Sequence, residues 1–209
     1  MNIIDISWPI SPAMTAYKQE KTVAFTPLKT FEADGARKTQ ITLDSHTGTH
    51  VDMPSHFLKD GATTDAMELE TLIGQCVVVD MSHINGVITE ADLEEYDFEE
   101  CDIVLIKTKN SALDADAPYN PDFVYLDESV ATFFTEMTDV QTIGFDYIGL
   151  ERNQPNHGTH VGLFNTGLTI IEGLRLAAAT EGEYFLVCMP LAVKGLDGAP
   201  ARAILVQGL

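Results

Sequence analysis

Two short apolar runs most constrain what this chain can become. Q-C-V-V-V-D (75–80) and D-I-V-L-I-K-T (102–108) are continuous and rich in β-branched residues. Runs of that length and composition read as buried strands. Between them Thr89 precedes E-A-D-L, an N-cap followed by acids in the first turn, which predicts a helix. The same alternation continues downstream. Asp127–Met137 carries Val130, Phe133, Phe134 and Met137 on one helical stripe. Thr142–Phe145 reads as a strand, Leu168–Ile171 as another, and Arg175–Thr180 as a helix. Asn2–Ile6, Lys38–Asp44, Tyr184–Met189 and Ala203–Gln207 add strands towards the ends. Strand and helix alternating in the middle, with strand-rich ends, predict a single α/β domain, residues 1–209, with a mixed β-sheet flanked by helices. No Gly/Ser-rich or Pro-rich linker divides it.

The balance of 12 basic against 32 acidic residues gives a net charge of −20. That weighs against nucleic acid and anionic membranes as partners and against a highly anionic substrate; the partner expected is a small-molecule substrate. Three cysteines, Cys76, Cys101 and Cys188, are odd in number and far apart. They predict free thiols in a reducing, cytoplasmic compartment. The first residues show neither a basic region nor a sustained apolar one, so no signal peptide is expected.

The chemistry concentrates in S-H-T-G-T-H-V-D-M-P-S-H-F (45–57), which holds three of the six histidines. His46, Gly48, His50 and Asp52 are all even-numbered. On an extended strand they share a face, and Thr47, Thr49, Val51 and Pro54 argue against a helix. The stretch is therefore expected at a strand end leading into a loop at Pro54, with Gly48 leaving room for an ion between the imidazoles. Two imidazoles and a carboxylate suit Zn²⁺, Mn²⁺ or Fe²⁺ with a position open for water. His56, displaced beyond Pro54, is placed to move protons.

H-T-G-T-H-V-D-M-P-S-H as a whole resembles the H-x-G-T-H-x-D-x-P-x-H signature of the cyclase-family metal hydrolases. These include bacterial kynurenine formamidases (arylformamidases) and isatin hydrolases. D-I-S-W-P-I-S-P (5–12), G-Q-C-V-V-V-D-M-S (74–82), T-I-G-F-D (142–146) and P-L-A-V-K-G-L-D-G-A-P-A-R-A-I-L (190–205) are similar to further family segments. The resemblance implies a swivelling β/β/α-like fold and a homo-oligomer, dimer or tetramer. It implies one or two Zn²⁺ per subunit, with Mn²⁺ as the alternative ion. It makes His46, His50 and Asp52 metal ligands and His56 the catalytic residue. In G-T-H-V-G-L-F-N-T-G-L-T-I-I-E-G-L (158–174), which resembles the family's second metal segment, it makes His160 a ligand of a second ion and Glu172 a shared one, with Asp52 bridging. Where the formamidases tend to carry Trp in W-P-G-D, this chain has Tyr17 in A-Y-K-Q-E; an aromatic face for substrate remains, without that turn.

The activity expected is hydrolysis of a C–N amide bond, in an aryl formamide such as N-formylkynurenine, as in tryptophan catabolism, or in a cyclic amide. Lactone hydrolysis or cyclisation at the same centre, and a metal-holding protein without catalysis, are the alternatives. His157 reads equally as a solvent-facing loop imidazole and is not counted as a ligand. Asp146 reads as a loop cap, His83 as a turn residue, Arg202 as half of an ion pair, and Trp8 as packing. The acidic run 92–102 reads as a solvated face.

Overall fold

Ile103 and Leu105 point into one apolar core, Val104 and Ile106 into another, so the run 102–108 is apolar on both faces because both are covered. A computed structural model describes residues 1–98, 101–136 and 139–208. In chain order the elements are β1 (Asn2–Asp5), β2 (Ala24–Lys29), α1 (Phe31–Asp34), β3 (Lys38–Thr42), β4 (His50–Asp52), β5 (Ile73–Asp80), β6 (Val87–Ile88), α2 (Glu90–Leu93), β7 (Ile103–Lys107), β8 (Tyr125–Leu126), α3 (Ser129–Thr135), β9 (Thr142–Phe145), α4 (Gly158–Asn165), β10 (Thr169–Glu172), β11 (Gly182–Pro190) and β12 (Gly198–Gln207).

Eight strands form one mixed sheet in the order β1-β12-β11-β5-β7-β9-β10-β4. The pairs β5–β7, β7–β9 and β9–β10 are parallel and the others antiparallel. The last strand in that order, β4, also pairs with β12, so the sheet closes into a barrel-like ring with β1 at its margin. Both edges of β4 are used. Asp52 lies opposite Ile170 on one side and Gly198 on the other. One core, including Val51, Leu72, Leu105, Leu186, Cys188 and Leu205, fills the ring. The other, including Ile106, Phe123, Phe134, Phe145 and Leu163, lies between the sheet and the helices. Each fully buried Leu, Ile or Phe contributes roughly 1.5–3 kcal/mol.

The α/β class and the mixed sheet are as expected. Helix α2 begins at a capping box, in which the Thr89 hydroxyl serves an N3 amide and Asp92 accepts from the Thr89 amide at 2.8 Å. Four local readings change. The helix expected over Asp127–Met137 is observed at Ser129–Thr135, and Met137 lies outside the described residues. Arg175–Thr180 forms only one 3-10 turn, Leu176–Ala178. Residues 158–165, where no helix is predicted, form α4. Finally, the strand of residues 38–44 does not continue into the histidine stretch. It ends at Thr42, a turn follows at 45–46, and Gly48 has φ +65° before β4 begins at His50. Glycine adopts that left-handed conformation without the usual steric cost.

Asp146 is buried and caps the turn at 108–112. It accepts from the backbone N and hydroxyl of both Thr108 and Ser111, at 2.7–3.1 Å. Trp8 is buried and donates from Nε1 to Ala115 O. Arg202 pairs with Asp5, and His83 lies in an exposed turn. In the acidic run, Glu94, Glu95 and Asp97 are exposed while Leu93 and Phe98 enter the core; Glu99 and Glu100 lie outside the described residues. Among the described residues no helix is long and apolar enough to cross a membrane. The three cysteines are buried free thiols.

Candidate metal centre

Three elements and one turn bring five of the titratable candidates together. Strand β4 supplies His50 and Asp52, two residues apart and therefore on one face. The turn before it supplies His46, β10 ends on Glu172, and α4 contributes His160 from its first turn. The turn is pinned by Thr49, which accepts from Trp8 N at 2.7 Å and donates to Gly173 O at 2.5 Å. Gly48 and Gly173 meet closely: a Cβ on Gly173 would lie 2.1 Å from Gly48 O. The convergence of His46 with His50 thus comes from a glycine turn, where an unbroken strand was expected.

Asp52 is 2 % exposed and turns its two oxygens in different directions. Oδ1 lies 2.8 Å from His46 Nδ1 and 3.1 Å from His50 Nε2. Oδ2 faces His160 Nε2 at 3.6 Å. Glu172 does the same, with Oε2 3.5 Å from His50 Nε2 and Oε1 3.0 Å from His160 Nε2. Leu150 N donates to Glu172 Oε1 at 2.7 Å. His50 Nδ1 donates to Gly48 O at 2.9 Å, which directs the lone pair of a neutral ring at Nε2 towards the carboxylates.

The electrostatics are those of a buried charge cluster. Burial by itself lowers the pKa of His50, but Asp52 and Glu172 outweigh it and raise the value to about 10. His160 is likewise lifted well above the ordinary range, burial being overcome by Asp52, Glu151 and Glu172. Burial raises the two carboxyls, yet the facing imidazoles pull Asp52 well down and Glu172 down. His56 moves the other way: burial, reinforced by the neighbouring His46 and His160, holds it below its usual value in spite of Asp52 and Glu172. It is therefore a neutral base at physiological pH.

The donor set fits a divalent cation. His50 Nε2, Asp52 Oδ2 and His160 Nδ1 are buried without a well-directed hydrogen bond, although carboxylate oxygens lie 3.0–3.6 Å from both imidazoles. Buried polar atoms left in that state are costly unless something else satisfies them. His46, Asp52 and His56, and separately His50, Asp52 and Glu172, present ligand atoms within 4.8 Å of one another. Imidazole and carboxylate together are ligands for borderline and hard divalent ions.

His56 follows the Pro54 turn and stacks on His46 with ring centroids 3.9 Å apart. A cavity of about 400 Å³ opens over the cluster, with Met14, Tyr17, Val23, Phe57 and Ile148 on its apolar walls. Tyr17 is half exposed and packs edge-on against Tyr119.

Two neighbours were not anticipated. Asp197 Oδ2 hydrogen-bonds His46 Nε2 at 3.1 Å and lies 3.4 Å from His56 Nδ1, so one carboxylate sits against both rings. Glu151 lies between His160 Nδ1, 3.0 Å from Oε2, and His157 Nδ1, 2.5 Å from Oε1. His157 is itself largely exposed, stacks on Phe57 and lines the cavity rather than joining the donors. Neither acid has a spacing signal. The one signal that could have found Asp197 is its place in the family-like segment 190–205.

The family model "Putative cyclase" matches residues 4–152. A kynurenine formamidase of Salinibacter ruber is 29 % identical over 98 % of this chain and 97 % of its own length. A structure of a predicted metal-dependent hydrolase from Bacillus stearothermophilus superposes with a TM-score of 0.86 at 39 % identity, covering 98 % of this chain and 97 % of that one. Isatin hydrolase A from Labrenzia aggregata shares the fold, with a TM-score of 0.80 at 21 % identity over 99 % and 94 % of the two chains.

Proposed function

The chain belongs to the cyclase family, and from that premise we propose that it is a metal-dependent amidohydrolase. Its substrate would be an aryl formamide of the N-formylkynurenine type or a cyclic amide. The observation that carries this reading is Asp52, whose two oxygens face two different sets of imidazoles. His46, His50 and Asp52 would hold one divalent ion, and His160, Glu172 and the second oxygen of Asp52 another. We assign Zn²⁺ first and Mn²⁺ second, since both accept this donor set. When bound, the metal supplies the Lewis acidity that polarises an amide carbonyl and makes water acidic enough to attack it at neutral pH.

The protein's own residues do the rest. His56, kept neutral by burial and by neighbouring imidazoles, takes the proton from the attacking water. It returns that proton to the leaving nitrogen as the C–N bond breaks. Asp197 holds the ring for both transfers. Tyr17 and Phe57 offer flat apolar faces to an aryl group, and the cavity walls exclude bulk water from it. The family likeness to kynurenine formamidases over nearly the whole chain supports the amide. We read residues 1–209 as one catalytic domain of a homo-oligomer, and the three unpaired thiols support a cytoplasmic setting.

The test is elemental analysis of purified protein, then formanilides, cyclic amides and lactones assayed with and without chelator. His56→Ala should retain metal and lose at least ~10²-fold in kcat. A metal-loaded wild type that turns over no amide would defeat the proposal, and turnover of lactones alone would move the reading to ester chemistry.

A further inference from the structure

His157 does nothing for the helix it precedes. It holds the N-cap position of α4, yet its side chain makes no capping hydrogen bond. Asn, Asp, Ser and Thr are favoured there because their side chains cap. The first amides of α4 are served by others: Gln154 Oε1 accepts from Thr159 N at 3.2 Å, and Glu151 Oε2 accepts from His160 N at 3.3 Å. His157 also sits in the left-handed region, with φ +54°, as do Asn153 and Asn156 before it. That conformation costs any residue with a Cβ.

The ring is nevertheless held from two sides. Its Nδ1 lies 2.5 Å from Glu151 Oε1, and its face stacks on Phe57 with centroids 4.2 Å apart and planes at 29°. A carboxylate only accepts hydrogen bonds, so Nδ1 carries the hydrogen and the neutral ring presents a lone pair at Nε2. Among the described residues that nitrogen has no partner. The side chain is 55 % exposed, on the cavity wall. Other acceptors along the wall are engaged. Asp44 accepts from Thr22, Thr47 and His46 N, and Glu172 Oε1 accepts from Leu150 N. Phe57 also packs against His160, with centroids 4.5 Å apart, so this part of the wall begins beside the candidate ligands.

We propose that His157 is a specificity-determining residue: its Nε2 accepts a hydrogen bond from the N–H of the scissile amide and so selects amides over lactones of the same shape. A lactone presents an oxygen where the amide presents N–H, and two acceptors then face each other. A site that hydrogen-bonds a substrate N–H rejects the analogue that lacks it. That N–H bond is not broken in the reaction, and the proton transfers stay with His56. The contact is therefore common to bound substrate and transition state, and it lowers KM while leaving kcat unchanged. The assignment rests on the function proposed above, and its test separates the two.

Two compounds of one outline decide it: oxindole, a cyclic aryl amide, and benzofuranone, the lactone in which oxygen replaces its N–H. Turnover by the metal-loaded full chain reads KM and kcat, and equilibrium dialysis reads affinity whether or not turnover occurs. Wild type should hold the amide about tenfold better than the lactone. His157→Asn keeps a donor for Glu151 and tolerates the left-handed backbone, but it lacks the acceptor. The preference should vanish in it, with kcat on the amide and metal content as in wild type. His157→Phe keeps the stack on Phe57 and should lose the preference too; it decides the matter if the first variant does not fold. His157→Gln carries an amide oxygen out to the reach of Nε2 and should restore part of the preference. Equal affinity of wild type for the two compounds, or a preference that survives in either of the first two variants, overturns the proposal. A preference seen in dialysis without turnover leaves the role of His157 standing and removes the amidohydrolase reading instead.

Discussion

Gly48 and Gly173 show how single residues set the geometry of the site. The His46 turn approaches the end of β10 so closely that Gly173 has no room for a side chain, and its φ is +69°. Gly173→Ala should cost ~2 kcal/mol or more through strain and displacement of the turn, and lower metal stoichiometry with it. Thermal melts and elemental analysis read both. Asp146 is the counterpart away from the site. It accepts four hydrogen bonds from Thr108 and Ser111. Asp146→Asn puts an NH₂ group against donors and should cost about 2 kcal/mol without changing metal content. At this scale His46, His50 and Asp52 were legible, because histidine and aspartate at two- and four-residue spacing carry their own chemistry; His160 and Glu172 came only with the family resemblance. Asp197 and Glu151 were not, since they reach their imidazoles from 151 and nine residues away in the chain.

Among the elements, α4 was invisible for a physical reason. G-T-H-V-G-L-F-N contains two glycines and two β-branched residues, all weak helix formers. Packing overrides that: a Cβ on Gly162 would meet the Ala131 Cβ at 2.6 Å, so small residues let α3 and α4 approach. Gly162→Leu should therefore separate the helices and destabilise the fold by 1 to 3 kcal/mol, on the order of other overpacked cores, visible as a lower denaturant midpoint. The long strands were legible because their apolar runs are dictated by two covered faces. Strand β2 was missed because Pro27 interrupts it and neither face is buried in the chain itself. Across β5 and β7, Asp80 and Lys107 are register partners bridged at 2.9 Å. Burial alone would raise Asp80, but Ser82 and Lys107 take it below its usual value. Stability from this pair is thus present above the unfolded carboxyl pKa of 3.8 and lost as pH falls through the lower folded value. Wild type and Asp80→Asn should differ by ~0.5 kcal/mol at neutral pH and converge in acid.

At the level of the whole molecule, the candidate ligands belong to β4, β10, α4 and the turn at His46, so a cation binding them ties the ring to its outer helix. An ion that binds the folded chain at a free concentration one hundredfold above Kd adds about 2.7 kcal/mol. Chelation should therefore lower the melting temperature by ~5–10 °C for a domain of this size, and scanning calorimetry with and without chelator measures it. The α/β class and mixed sheet were legible in the order of apolar runs. Closure of the sheet was not, because it depends on β4, three residues long, pairing along both edges. One of those edges belongs to β12, from Gly198 to Gln207. During synthesis, then, His50 and Asp52 leave the ribosome long before the strand that clamps them. The nascent chain must wait nearly 150 residues before its ring can shut, which makes acquisition of the ion a late event of biogenesis.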